Sequence, residues 1–289
     1  MTNKKVTGIF GSGSTHWVGD GFPVRNLFPS NGVQDAVNPF LMLDYAGPKR
    51  FEPSDEPRGV GEHPHRGFET VTIAYQGSVD HRDSGGNSGT IKPGDVQWMT
   101  AASGVVHEEK HGSDLTKHGG MFEMVQLWVN LPKAYKMSAP RYQAITSEQI
   151  PVKQLGEAGY ARVIAGELGG VKGPAKTFTP VNVFDVRLNA GQQTTLDLPD
   201  GHNAALVLLK GNVGLGSSDE ISGEAEIAVL SAAGEQVVLD VKEDSTVLVL
   251  SGEPIREPVA SYGPFVMNTR EELSQAMDDY RAGKMGRLA

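Results

Sequence analysis

Two short segments of the chain place four potential metal ligands at a spacing of two residues. One is His-Pro-His at 63–65 and the other is His-Glu-Glu at 107–109. Residues two apart on a β-strand project from the same face, so each segment would offer a chelating pair. Brought face to face inside a barrel, the pairs would give three imidazoles and one carboxylate: His63, His65, His107 and Glu109. This set suits a divalent transition metal with open positions for a substrate, whereas structural zinc sites usually close with a fourth protein ligand.

Other side chains compete for these roles. Glu69 lies four residues after His65, on the same face if the strand runs straight, and is the rival carboxylate. His111 has the same parity as His107, but Gly-Ser-Asp at 112–114 indicates that the strand has ended. We therefore interpret His111 as a surface histidine, together with the four other histidines outside the two segments, namely His16, His81, His118 and His202.

The elements that must position these residues are short strands. The 36 glycines and 17 prolines punctuate apolar runs rich in Val, Ile, Leu and Thr, which is typical of strands joined by turns. The turn signal Lys-Pro-Gly-Asp at 92–95 lies between the two ligand segments, so a hairpin-rich region would bring them close. Near the end, a capping box at 269–272 and apolar residues at helical spacing predict a helix over residues 269–282.

A chain of 289 residues is long enough for two domains of roughly 100 to 150 residues. An apolar strand, a glycine turn and a return strand at 71–79 recur at 205–213, as expected for a duplicated barrel. We predict an N-terminal metal-binding barrel over 1–145 and a C-terminal barrel over 146–289 that includes the helix. The equivalents of the first barrel's histidines are Asp197, Pro199 and Val241, so the second barrel is predicted to hold no metal.

Composition narrows the classes of function. The formal charge of −9 and the pI near 5.4 argue against a broad nucleic-acid-binding surface, which would usually be basic. The absence of cysteine excludes disulfides and thiolate ligands, leaving His and carboxylate as the strong protein ligands. No apolar run is long enough for a signal peptide or a membrane span, so the expected location is the cytoplasm. The Gly-Ser-Gly turn at 11–13 lacks the third glycine and the following helix of a dinucleotide site, so we interpret it as a turn-forming loop and predict no cofactor-binding residues there.

Four segments resemble the signature of the pirins, which are members of the cupin superfamily. They are HPHRGFETV at 63–71, PGDVQWMTA at 93–101, GVVHEE at 104–109 and QLWVNLP at 126–132. The resemblance continues weakly at 38–44 and 262–269, and it therefore covers most of the chain. It implies an all-β bicupin, two cupin barrels in tandem, with one mononuclear metal in the first. The usual metal would be iron, with other transition metals possible.

By motif, the resemblance places the metal ligands at His63, His65, His107 and Glu109. It implies that Glu69 is not a ligand. Several pirins cleave the flavonol quercetin with dioxygen, while others are nuclear or cytoplasmic regulatory cofactors. The first hypothesis is thus a quercetin 2,3-dioxygenase-like enzyme in which Glu109 is the catalytic base for the flavonol 3-hydroxyl. The second is a non-catalytic, iron-bearing regulator whose metal oxidation state alters a protein-binding surface.

A flat aromatic substrate needs apolar walls, and four residues are candidates for them: Phe40, Phe68, Trp98 and Met99. For each of them a place in the hydrophobic core is the favoured interpretation. Arg66 is open to two interpretations, either as a partner that orients a ligand or as a plain surface charge.

Overall fold

The computed structural model describes residues 1–29, 31–216 and 218–288. Strands dominate, and the predicted all-β class is confirmed. The strands up to residue 145 are β1 Val6–Gly11, β2 His16–Val18, β3 Phe22–Phe28, β4 Phe40–Phe51, β5 Gly59–His65, β6 Phe68–Gln76, β7 Val79–Asp83, β8 Ser88–Ile91, β9 Val96–Thr100, β10 Val105–His111, β11 Gly120–Asn130 and β12 Arg141–Ile145.

The remaining strands are β13 Val152–Gln154, β14 Gly159–Ala165, β15 Glu167–Leu168, β16 Val171–Lys172, β17 Val181–Leu188, β18 Gln193–Asp197, β19 Asn203–Leu215, β20 Asp219–Ser222, β21 Glu226–Leu230, β22 Gln236–Gly252, β23 Ala260–Tyr262 and β24 Phe265–Met267. The α-helices are α1 Gln34–Val37, α2 Ser113–His118 and α3 Arg270–Arg281. Single 3₁₀ turns occur at Lys133–Tyr135, Ser147–Gln149 and Gly156–Ala158. Within the described ranges, no helix is both long and apolar enough to cross a bilayer.

The chain divides into two compact units. The unit that we call the N-terminal barrel contains Ser14–Arg25, Met42–Ser147 and Ile255–Ala289. The unit that we call the C-terminal barrel contains Met1–Gly13, Asn26–Leu41 and Glu148–Pro254. This division differs from the predicted contiguous domains 1–145 and 146–289, because each barrel includes a segment from the opposite end of the chain. The first segment belongs with the C-terminal barrel because β1 pairs with β21.

The N-terminal barrel is built from two main sheets. One has the strand order β5-β10-β7-β8 and carries the predicted ligands, and the other has the order β12-β9-β6-β11-β4-β3-β2. Buried aromatic and aliphatic side chains, including Phe22, Phe122 and Val79, form part of its core.

The C-terminal barrel is built around a nine-stranded antiparallel sheet in which the long strands β19 and β22 pair along most of their length. Its core is apolar and includes Val241, the residue at the position equivalent to His107. Asp197 and Pro199 are exposed. A charged network crosses this sheet, where the buried Asp185 accepts hydrogen bonds from Arg162 and Arg187. That this barrel holds no metal stays a prediction.

Helix α3 confirms the prediction for residues 269–282. The capping box is formed, because the Glu272 N–H donates to Thr269 Oγ1 at 3.2 Å and the Thr269 N–H donates to Glu272 Oε2 at 3.0 Å. Leu273 and Ala276 pack with Val106 of β10, so the helix docks on the N-terminal barrel. The prediction from the sequence places this helix in the C-terminal barrel, whereas its apolar face packs against a strand that is distant in sequence.

Two buried cations tie the C-terminal segment to the N-terminal barrel. Arg66 donates to Ser103 O at 2.6 Å and to Asp279 Oδ2 of α3 at 2.9 Å. Neither interpretation of Arg66 from the sequence was right, because its partner is the docked helix. Lys136 donates to Gly67 O and to Asn130 Oδ1, both at 2.7 Å, and also reaches a backbone carbonyl of β24.

Candidate metal centre

The register of three adjacent strands brings the candidate ligands together. In the antiparallel pair of β5 and β10, His107 lies opposite His63 and Val105 lies opposite His65. Directly opposite residues of such a pair project from the same face. The two predicted chelating pairs thus lie side by side on neighbouring strands, whereas the sequence interpretation placed them face to face across a barrel.

Three imidazoles form the centre of the site. One ligand atom each from His63, His65 and His107 lies within 4.8 Å of the others, and their ring centroids are 4.3 to 4.8 Å apart. His65 and His107 are buried, whereas His63 is half-buried. Burial, reinforced by neighbouring imidazoles, lowers the pKa of His65 and the pKa of His107 well below the ordinary value. These two rings are therefore neutral at physiological pH, which is the form that binds metals.

The free ring nitrogens fit a metal ion. Among the described residues, His65 Nδ1 and His107 Nε2 are buried and have no hydrogen-bond partner. His63 Nδ1 donates to the Gly61 carbonyl at 2.8 Å, and the ring of His65 bonds to the Pro264 carbonyl. An unsatisfied buried polar atom costs about 1–3 kcal/mol, so two of them side by side require an explanation. A divalent cation bound by the three lone pairs would provide one.

Glu109 lies beside this trio and is anchored by neutral donors. Its Oε1 accepts hydrogen bonds from Thr72 Oγ1 at 3.1 Å and from Gln97 Nε2 at 3.4 Å. Its Oε2 accepts from Gln126 Nε2 at 2.9 Å. Glu109 groups within 4.8 Å with His107 and with a histidine that was not predicted, His81. Its assignment as fourth ligand and as base stays a prediction.

Glu69 is directed to a different set of partners. Its Oε1 accepts a hydrogen bond from Thr100 Oγ1 at 2.7 Å and lies 3.8 Å from Arg141 Nη2. Burial raises the pKa of Glu69 to about 7, although Thr100 and Arg141 act in the opposite direction. Neither of the two His/Glu groups found among the described residues includes Glu69.

His81 was missed by the sequence interpretation, which placed it on the surface. It is buried on β7, opposite Glu109 in the β7–β10 pair. Its Nδ1 lies 3.4 Å from His107 Nδ1, and its Nε2 lies 3.3 Å from Asp83 Oδ2. Its ring stacks on Tyr142 at a centroid distance of 5.0 Å and an angle of 16°. A signal was present in the sequence, because His81 and Asp83 share the spacing of two that marks the other pairs.

The surface interpretation was also wrong for His111, which is buried among the rings of Phe22, Phe51 and Phe122. His111 Nε2 donates to the Gly21 carbonyl at 2.9 Å. His16 and His118 are exposed and His202 is half-buried. His111 is thus a core histidine with a backbone partner.

One of the four predicted wall residues lies beside the histidine trio. The ring centroid of Phe68 is 5.2 Å from that of His65. Trp128, which was not predicted, is half-buried, with its ring centroid 5.3 Å from that of His65 and 4.2 Å from that of Phe68. Phe40, Trp98 and Met99 are fully buried, and so is Phe68, which leaves Trp128 as the partly exposed ring. Phe68 and Trp128 therefore make an aromatic side at the site, and we call them the aromatic pair.

The chain matches the family model for Pirin over residues 21–129 and the model for the Pirin C-terminal cupin domain over residues 183–286. The chain belongs to the pirin family. This pirin is 40% identical over 255 residues to mouse Pirin, covering 86% of this chain and 83% of the mouse protein. It is 54% identical over 282 residues to a Pseudomonas aeruginosa protein that carries the name quercetin 2,3-dioxygenase as a provisional assignment, covering 97% of this chain and 98% of that protein.

A solved structure agrees with the family assignment. The crystal structure of quercetin 2,3-dioxygenase from Acinetobacter baumannii is 51% identical to this pirin, with a TM-score of 0.96 over 99% of this chain and 100% of that one. The prediction of a fold with two cupin domains is confirmed.

Proposed function

We propose that this pirin is a metal-dependent dioxygenase that cleaves a flavonol such as quercetin with dioxygen. The observation that carries the proposal is the trio of imidazoles, two of which have a buried, unpartnered ring nitrogen. The names of the Pseudomonas and Acinetobacter relatives support the reaction class. The expected compartment is the cytoplasm.

The proposed ligands are His63, His65, His107 and Glu109, and the proposed metal is iron(II). Three neutral imidazoles and one carboxylate carry a net charge of about −1, so a divalent cation leaves the site near +1, which attracts an enolate or catecholate oxygen. When bound, the metal would supply a Lewis acid that lowers the pKa of the flavonol hydroxyl, together with open positions for substrate and oxygen.

The residues of the chain have three tasks in this scheme. Trp128, the partly exposed member of the aromatic pair, packs against the flat rings of the flavonol with the buried Phe68 behind it, since stacking on aromatic faces favours a planar ligand. Glu109 accepts the proton of the 3-hydroxyl, and its hydrogen bonds to Thr72, Gln97 and Gln126 keep the carboxylate in position. The burial of His65 and His107 limits the access of water to their ring nitrogens. Opening of the ring with loss of carbon monoxide completes the proposed reaction.

The test uses the full chain loaded anaerobically with iron(II). Quercetin and oxygen are added, and the loss of flavonol absorbance and the release of carbon monoxide are followed. We expect turnover that requires the metal and that disappears in His107→Ala, which should also lose most of the bound iron. His118→Ala changes an exposed histidine and is the matched control. Iron-loaded protein that leaves quercetin unchanged would overturn the proposal and favour the regulatory hypothesis, whose protein partner is a prediction from the family resemblance.

A further inference from the structure

Each proposed histidine ligand has one ring nitrogen occupied within the protein. For His63 and His65 the partner is a backbone carbonyl, which can only accept a hydrogen bond. The nitrogen facing the carbonyl therefore carries the proton, and the other nitrogen has the lone pair. His107 is different, because its Nδ1 lies 3.4 Å from another imidazole nitrogen, Nδ1 of His81.

An imidazole can donate or accept, so the contact between the two histidines leaves the position of the protons open. Asp83 determines it. Its Oδ2 lies 3.3 Å from His81 Nε2, and a carboxylate accepts, so His81 Nε2 carries the proton. In the neutral form of His81, Nδ1 then has the lone pair, so His107 Nδ1 must donate to it and His107 Nε2 is left with a free lone pair.

We propose that His81, oriented by Asp83, is a positioning residue that holds His107 in the tautomer with its Nε2 lone pair free for the metal. The proposal rests on the proposed function in that it takes the histidine trio as the metal site. Carboxylates and carbonyls that hold the second nitrogen of a ligating histidine commonly set its tautomer and orientation. Here a second imidazole is inserted between the carboxylate and the ligand, and we call Asp83, His81 and His107 the histidine relay.

Hydrogen bonds and a ring contact hold the residues of the relay in position. Asp83 Oδ1 accepts from the Gly85 N–H at 2.8 Å, the Asn87 N–H at 3.1 Å and Asn87 Nδ2 at 3.1 Å. The ring of Tyr142 covers one face of His81. Asp83, His81 and His107 are all buried. A histidine fixed at both nitrogens and on one face transmits the orientation of the carboxylate to its neighbour.

A competing arrangement uses the same atoms. His81, His107 and Glu109 also lie within 4.8 Å of one another, so His81 could itself be a metal ligand. In that arrangement both Nδ1 atoms would turn their lone pairs to the metal, and His107 Nε2 would carry the proton. The two arrangements therefore place the proton of His107 on opposite nitrogens.

The first test measures that proton directly. Long-range ¹H–¹⁵N correlation spectra of the metal-free full chain report which nitrogen of each neutral histidine is protonated. We expect His107 to be protonated at Nδ1 and His81 at Nε2. Protonation of His107 at Nε2 in the wild-type chain would overturn the proposal. This measurement does not depend on metal binding or on turnover, so it judges the relay even if the proposed dioxygenase activity fails.

The second test measures affinity for Co²⁺ by its visible absorption. His81→Phe keeps the ring that stacks on Tyr142 and removes both nitrogens, and we expect it to weaken Co²⁺ binding roughly 10- to 100-fold. His81→Asn offers an amide oxygen to His107 Nδ1, so it should recover part of the loss. His111→Gln changes another buried histidine, on the same strand as His107, and should leave the affinity within about threefold of wild type.

Two outcomes of the metal experiment would overturn the proposal. One is wild-type Co²⁺ affinity in folded His81→Phe. The other is a loss of one coordinated imidazole in that variant by X-ray absorption, which would make His81 a ligand. If wild-type protein binds no Co²⁺ while the spectra show the expected tautomers, the metal site fails and the relay stands.

Discussion

For single residues, the main contrast at the site is between two buried carboxylates, Glu109 and Glu69, which have different hydrogen-bond partners. Glu109 accepts hydrogen bonds from three neutral side chains and lies beside His107, whereas Glu69 bonds to Thr100 near Arg141. Residue spacing in the sequence identified both as candidates, because both have the right parity on a strand. It could not identify their partners, since the three donors to Glu109 come from β6, β9 and β11.

Glu109→Gln should separate metal binding from chemistry. The amide oxygen can still reach a metal, but an amide cannot accept the substrate proton at working pH. We expect the variant to keep part of its iron and to lose quercetin cleavage by roughly 10²- to 10⁴-fold, as is typical of removing a general base. The check is the turnover rate at matched iron loading. Glu69→Gln is the matched control and should retain most of its iron, because Glu69 is outside both His/Glu groups.

Wild-type turnover in iron-matched Glu109→Gln would show that Glu109 is not the base. Glu69, whose pKa is about 7, would then be the next candidate, and a strong loss of turnover in Glu69→Gln would support that role.

For the secondary-structure elements, the sequence predicted which residues share a face of one strand. It did not predict the register in which neighbouring strands pair. The spacing of two placed His63 with His65, and His107 with Glu109, as the strands β5 and β10 do. The pairing of β10 with β7 depends on non-local hydrogen bonds, and it is this pairing that brings His81 opposite Glu109. Trp128 was missed for a related reason, because it lies on β11 of one sheet and His65 lies on β5 of the other, so their contact depends on how the two sheets pack.

The buried ammonium of Lys136 hydrogen-bonds to three separate segments of the chain. Its titration should make the free energy of unfolding depend on pH. Its ammonium donates to three neutral acceptors, Gly67 O, Asn130 Oδ1 and Val266 O, and burial lowers its pKa to about 8 from an ordinary 10.5. Between these two pH values the unfolded chain binds more protons than the folded chain, so the free energy of unfolding rises with pH. One pKa unit corresponds to about 1.36 kcal/mol, so Lys136 should contribute a rise of about 3 kcal/mol across this window.

The comparison variant is Lys136→Met, which removes the titrating group. We expect the difference in free energy of unfolding between wild type and Lys136→Met to be constant below about pH 8 and to increase in favour of wild type up to about pH 10.5. Denaturant unfolding at a series of pH values measures this difference. A difference that stays flat from pH 7 to pH 11 would contradict the assignment.

At the scale of the whole molecule, the two ends of the chain belong to opposite barrels. The sequence predicted the number of barrels, their class and the C-terminal helix, because these follow from length, repetition and local periodicity. It could not predict the exchange of terminal segments, since apolar periodicity shows that a helix has a face to bury and not which surface buries it. As a result, residues 255–289 complete the barrel that carries the candidate metal site.

This exchange predicts that the metal site depends on residues far from its ligands in sequence. A chain that ends at Pro254 keeps every proposed ligand, but it loses the Pro264 carbonyl that bonds to His65 and the Asp279 carboxylate that pairs with Arg66. We expect metal per chain to fall from about one to near zero in that truncation, whereas deletion of Met1–Gly13, which belong to the other barrel, should leave it near one. Elemental analysis of the monodisperse fraction gives the ratio, and circular dichroism gives the remaining strand content. Asp279→Asn is the milder variant and should lower the free energy of unfolding by about 1.5–3 kcal/mol, the range for a hydrogen bond between charged groups. Full metal binding by the chain that ends at Pro254 would show that the N-terminal barrel holds its ligands without the C-terminal segment.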